Sequence, residues 1–521
     1  MFPVSLFFFC LPLLCLSYSS ETVSVATAAD LIELFNSAKG SSVDVDIDVK
    51  ADLDFSQANL ILPLGAHSSG TCVSYNGVLH GNGHVVSGVS MSNKDKYPAY
   101  SHAGLFCSLR DAVVENLVID SSCIFVGSHA GSLCVSVRGS LKVVNVTNKA
   151  YVKGRSSVGG FVGEARDLVK DVLLSFEKCV NDGKVTGDDS VGGFFGYVFN
   201  STNSRIAISN SINNGIIASN NYGAGGFFGY VSLNSGVNLE ISRSTNNGIV
   251  TCTGQVGGLV GLVGHDNKSG TTMSIHLCTN KGRVTGDGTV GGLVGVIASN
   301  VTMDISRCTN TGIIVGGKKG IVGGLVGEVE VSTSVKITTS ANKQLILGRG
   351  SYSAGLVGYV SSNTPSNPVE LLVLNSENEG SISADNGMAC GFFCMNPSHP
   401  KGLKSTVINS INKGDIGATT IGYGISTTVT SARNVVSMGK VGSGSFTFWG
   451  SSTDVDILYG MKDKCNGCTN NVTLFEFNWF TQFYQVVNSE DRVNDLLNEA
   501  AQREHYGMFW TAMLDLTDTK P

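Results

Sequence analysis

A doubled glycine returns along this chain at almost fixed distance, and little else in it limits the possible architectures so tightly. Its second member falls at Gly160, Gly193, Gly226, Gly258, Gly292 and Gly324, so successive copies lie 33, 33, 32, 34 and 32 residues apart. Degenerate copies extend the series through Ala103-Gly104-Leu105-Phe106 and Ala130-Gly131 on one side. On the other stand Ala354-Gly355-Leu356-Val357-Gly358 and Cys390-Gly391-Phe392-Phe393. A second landmark, Asn-X-Gly, keeps the same beat at Asn181, Asn213, Asn246, Asn280 and Asn310, then returns at Asn378 and Asn412, with Asn342 lacking its glycine. Two markers in phase define a tandem repeat. That repeat overrides the several globular domains that 521 residues would otherwise suggest.

A period near 33 also suits helical arrays, so residue type has to choose the architecture. The units read as short β-branched runs, such as Ile206-Ala207-Ile208 and Ile216-Ile217, broken by Asn and Gly turns. The expected fold is therefore all-β: a parallel β-helix, or solenoid, of about 33-residue coils with roughly three strands per coil. Single coils cannot bury their inner face, so both ends need caps. Thr27 to Gly40 has the pattern of a short amphipathic helix, with Asp30 three residues after the capping threonine. Ser489 to Gly507 repeats that logic, so the chain reads as complete. The expected organisation is a leader over 1–19, an N-terminal cap over 20–60, irregular first coils over 61–155, the regular β-helix over 156–450 and a C-terminal cap over 451–521.

The 65 glycines come with only 9 prolines and no Gly-X-Y register, which excludes collagen. Charged residues are 15%, few enough to leave a substantial apolar core, and the net charge of −6 offers no basic footprint for nucleic acid. The apolar run Leu6 to Leu16, followed by Ser17-Tyr18-Ser19, reads as a secretory leader cut after Ser19. No later segment is long and apolar enough for a transmembrane helix. Five glycosylation acceptors, Asn145, Asn200, Asn267, Asn300 and Asn471, agree with an extracellular chain, secreted or peripherally held at the cell surface.

The V-G-G-F-V-G and V-G-G-L-V-G units at 158–163, 256–261, 290–295 and 322–327 resemble the GLUG-motif repeats of extracellular bacterial and protist proteins. Asn76-Gly77-Val78-Leu79-His80-Gly81-Asn82-Gly83-His84 is similar to the segment that opens such arrays, with His80 where aspartate is usual. The resemblance covers roughly residues 70 to 450 and implies the fold more than an activity. Such repeats occur in surface adhesins, and the expected role is adhesion or extracellular recognition, with a structural or antigenic surface protein without a dedicated ligand as the alternative. GLUG repeats also occur beside peptidases, but no peptidase segment accompanies them here.

Strand alternation assigns Phe161, Gly163 and Ala165 to the inner face and leaves Val162, Phe195, Phe228, Val260, Val294, Val326, Val357 and Phe393 pointing outward. That apolar ladder is a candidate surface for lateral self-association or ligand binding. The alternative is a glycine bulge that turns both neighbouring residues inward. Outward variable positions, Tyr197, Tyr230 and Tyr359 among them, are candidates for contacting an extracellular protein or glycan ligand. The Asn column is expected to stack its amides from coil to coil. Cys179, Cys278 and Cys308 share one repeat position and read as buried thiols, with a Cys278–Cys308 disulfide as the alternative. Asp44, Asp46 and Asp48 lie on one strand face, as a calcium site or, by the simpler reading, a solvated one. His80 with His84, and Cys465 with Cys468, lack the further ligands that a zinc site requires. Acids in the repeat are scattered, without the recurrent pairing that polysaccharide cleavage demands. The expectation is a non-catalytic protein without cofactor or metal.

Overall fold

The computed structural model describes residues 21–441 apart from 39–41, 59, 68–69, 92–101, 170, 233–235, 265–270, 319, 363–365, 396–401, 420, 428 and 438–440. Beyond 441 it describes only the short strands at 454–455, 458–461 and 484–487. The leader, the expected C-terminal helix, Asn267, Asn471, Cys465 and Cys468 therefore lie outside the described residues.

The chain winds as a parallel β-solenoid of about eleven coils of about 33 residues. One coil shows the pattern. Leu173–Glu177 and Val180–Asn181 lie in a first sheet, Val185–Gly187 in a second, Val191–Gly192 in a third and Phe195–Phe199 in a fourth. The coil thus has five short strands where the sequence suggested three. Among the described residues the first sheet has 26 strands and each of the others 11. With neighbouring strands about 4.8 Å apart, eleven coils rise roughly 50 Å.

Both extra breaks have local causes. In the first sheet the chain passes through the left-handed region three residues before each ladder asparagine, at Lys178, Asn210, Arg243, Leu277, Arg307, Thr339, Asn375 and Asn409, all with φ near +50°. That kink splits one long strand into two in most coils, while Leu403–Asn412 runs unbroken through Asn409. The second break is the Gly-Gly turn between the third and fourth sheets. A Cβ on Gly159 would overlap the Val162 carbonyl, and one on Gly160 would come within 2.7 Å of the Asn181 amide oxygen. Glycine alone lets the chain double back here while an asparagine packs beneath it. The same contact recurs between Gly193 and Asn213, Gly226 and Asn246, and Gly355 and Asn378. The two repeated landmarks keep step because they touch across each coil.

The core is built of columns. Ile208, Ile241, Ile275, Ile305, Ile337, Val373 and Val407 stack in register through the first sheet, all fully buried. Beside them runs the asparagine ladder. Each Nδ2 donates to the next coil's Oδ1 at 2.7–2.8 Å, from Asn148 through Asn181, Asn213, Asn246, Asn280, Asn310, Asn342 and Asn378 to Asn412. From Asn181 onward each also donates to the carbonyl two residues ahead, Gly248 O at 2.9 Å for Asn246. Buried amides left without partners would be costly, and the stack satisfies them repeatedly.

At the N-terminal end, helix α1 (Ala28–Asn36) is fixed by a reciprocal cap. Thr27 Oγ1 accepts from the Asp30 N–H at 3.2 Å, and Asp30 accepts from the Thr27 N–H at 2.9 Å. Leu31 and Phe35 are buried against the first coils. Strands Thr22–Val25 and Asp46–Val49 already pair in parallel here, so the first sheet begins within the segment expected to be a cap.

Candidate functional site

The outward phenylalanine stripe does not exist. Phe195, Phe228 and Phe393 are all 0% exposed, as are Val162, Val260, Val294, Val326 and Val357. The Gly-Gly turn reverses the chain between Val191 and Phe195, so Phe194 and Phe195 both enter the core and strict alternation fails. Phe194 packs against Phe161 and Phe227 at 4.9 and 4.8 Å between ring centres, while Phe195 stacks on Phe228 at 5.2 Å.

The tyrosine positions belong to a different column. Ser136, Glu164, Tyr197, Tyr230, Leu262, Val296, Glu328 and Tyr359 are consecutive partners on the outer side of the fourth sheet. Opposite them stand residues of the third sheet and its approach: His129, Tyr222, Thr289 and Tyr352. Four contacts show the two columns meeting. His129 Nδ1 lies 3.6 Å from Glu164, Tyr222 meets Tyr230 edge-on at 5.4 Å, Thr289 Oγ1 lies 3.5 Å from Glu328, and Tyr352 lies 4.5 Å from Tyr359. The corner between the two sheets is therefore a seam running along the rod.

The seam opens into a cleft of about 350 Å³ beside Tyr197 and Tyr230. Tyr197, Phe199, Tyr222 and Tyr230 form its aromatic wall, and Tyr197 stacks on both Phe199 and Tyr230 with ring planes within 14°. Glu164, Arg166, His129, Asp189 and three serines supply the polar side. Glu164 is only 6% exposed and lies 3.2 Å from Arg166 Nε. Arg166 Nε and His129 Nδ1 are close enough to attract that carboxylate, yet neither has a hydrogen-bond partner. His102 packs edge-on to His129 at 5.0 Å, and burial, helped by His129 and Arg166, pushes its pKa down to about 4, so it is neutral near pH 7. Volume, aromatic wall and a few buried polar groups are the attributes of a small-ligand site.

Sequence reasoning found Tyr197, Tyr230 and Tyr359 but missed Tyr222, Phe199, Arg166 and His129. Tyr222 and His129 come from the opposite wall, which no spacing along one strand reveals, whereas Phe199 and Arg166 follow Tyr197 and Glu164 by two residues on the same strands and so share their face.

The remaining candidates are engaged structurally. Asp46 accepts from the Val78 N–H at 2.9 Å, Asp48 pairs with Lys50 and Asn82, His80 pairs with Glu115 at 2.7 Å and His84 with Asp52 at 3.2 Å. No three His, Cys, Asp or Glu side chains converge as a metal site among the described residues. Cys179, Cys278 and Cys308 are buried free thiols, in the column that Ser211, Ser244 and Ser340 fill in other coils. Burial pushes the Cys179 thiol up to about 12. Disulfides join Cys72 to Cys107 and Cys390 to Cys394. Of the glycosylation acceptors, Asn145 and Asn200 are exposed and Asn300 is half-buried. Asn200 follows Phe199 directly, at the rim of the cleft. No helix among the described residues is long and apolar enough to cross a membrane.

No protein-family model matches the chain, and no curated protein matches it. Among solved structures it is similar to a candidate immunoglobulin A1 protease from Bacteroides ovatus, at 18% identity and a TM-score of 0.38. The match covers 57% of this chain and 78% of that one, and function has to be read from this chain's own residues.

Proposed function

We propose that this protein is a GLUG-type solenoid of the cell exterior that recognises an extracellular protein or glycan by binding and not by catalysis. The observation that carries this reading is the cleft at Tyr197 and Tyr230, where four aromatic rings face a partly unsatisfied Glu164–Arg166–His129 group. The fold supports it, because successive coils stack one residue each into a rigid column along the corner of two sheets, partly exposed at Tyr197, Glu328 and Tyr359. The two disulfides and the accessible acceptors Asn145 and Asn200 support an oxidising, secretory route.

The test is a binding screen of the mature chain against extracellular proteins and glycans, with the partly exposed Tyr197→Ala and Tyr222→Ala beside it. Saturable binding that both variants lose, at unchanged melting temperature, supports the proposal. Absence of any specific ligand, or turnover of a bound polysaccharide, overturns it.

A further inference from the structure

Resting on that reading, we infer that the ligand is a linear polysaccharide lying along the rod axis, held at two aromatic stations of the same seam. The first station is the cleft of Tyr197, Tyr222 and Tyr230. The second is the Tyr352–Tyr359 pair, whose rings lie 4.5 Å apart across the same two walls. Register fixes the distance between them. From Tyr230 the column passes Leu262, Val296 and Glu328 to reach Tyr359, four coil steps or about 19 Å. Between the stations Leu262 and Val296 are only 2% and 4% exposed, so contacts to a spanning chain concentrate at the two stations.

The chemistry favours a sugar polymer over a peptide. An extended peptide gains most when it adds to a free sheet edge, through main-chain hydrogen bonds. Here the strands on both walls pair with the coils above and below, so the seam offers side chains and not backbone. What those side chains supply is tyrosine surface, half-buried at Tyr197, Tyr222, Tyr352 and Tyr359, together with serine and threonine hydroxyls, carboxylates, and the Arg166 Nε and His129 Nδ1 atoms, which make no hydrogen bond. Aromatic surface packs against the C–H faces of sugar rings, and the polar groups match ring hydroxyls.

The experiment measures affinity of the full mature chain for a panel of neutral linear oligosaccharides, α- and β-linked, of two to eight residues, by calorimetry. For at least one series, affinity should rise roughly tenfold or more once a fragment is long enough to reach both stations, because the second contact becomes intramolecular. Tyr359→Ala should bring long fragments down to the affinity of short ones while leaving the melting temperature in place. Binding that does not depend on length overturns the two-station inference but leaves recognition at the cleft standing. Binding of a protein ligand with no member of the panel bound also overturns the inference alone. If neither glycans nor proteins bind, both readings fall.

Discussion

Replacing Asn246 by alanine removes one rung of the buried amide ladder. Asn246 is 0% exposed, accepts from Asn213 at 2.7 Å, and donates to Asn280 at 2.7 Å and to Gly248 O at 2.9 Å. Its loss strips that donor from two buried acceptors and leaves the Asn213 Nδ2 donating only to Gly215 O, while Asn213 Oδ1 still accepts from Asn181. At about 1–3 kcal/mol for each buried polar group left unsatisfied, the two acceptors alone put the cost at about 2–6 kcal/mol. The adjacent Asn247 is an internal control. It makes a similar inter-coil bond to Asn214, at 2.7 Å, but stands in solvent, and its alanine variant should cost less than about 0.5 kcal/mol. Urea unfolding followed by far-ultraviolet circular dichroism compares the two directly. If Asn246→Ala comes within about 1 kcal/mol of Asn247→Ala, the ladder is an incidental stacking of side chains and the account of why the repeat carries asparagine is wrong.

Two further outcomes follow from the core and the seam. Phe195→Ala should lower stability by about 3–5 kcal/mol in thermal or urea unfolding, because Phe195 packs against Phe176 and Phe228 in the interior; a change near zero would restore the outward stripe. Burial, reinforced by Glu330, pushes the Glu328 carboxyl up to about 7. Its folded pKa thus lies above its unfolded one, so the stabilising effect of the protonated form is present below about pH 4.5 and lost as pH rises through about 7. Glu328→Gln should therefore gain on the wild type between pH 5 and pH 8, by at most on the order of 2 kcal/mol once partial exposure is allowed for. Melting curves that keep the same spacing at both pH values would remove that argument.

The solenoid was legible because its two markers are the residues least replaceable in the coil. Gly226 and Asn246 are in contact, so each constrains the other and neither drifts in sequence position. Alternation failed at Val162, Phe195 and Phe228 for the same reason. The turn that needs glycine also reverses the chain, and period-two reasoning assumes a strand that runs straight through. The count of three strands failed at Lys178 and its counterparts, since a left-handed kink at arginine or leucine leaves no mark in residue type. Cap geometry was readable at Thr27 because both partners lie within one turn of helix α1. The cleft was only half readable: Tyr197 and Tyr230 recur at the period and Arg166 sits two residues after Glu164 on one strand, whereas His129 and Tyr222 join them by folding across a corner.

Neighbouring coils meet through the same bonds at almost every level of the ladder, so a coil is close to an interchangeable part. Unequal recombination that adds or drops one 33-residue unit would leave the stacked amides intact. It would also move Tyr359 relative to Tyr230 by one rung, about 4.8 Å. Selection on such a gene can therefore act on a ruler, changing the span between fixed marks in whole increments while the material of the rod stays the same.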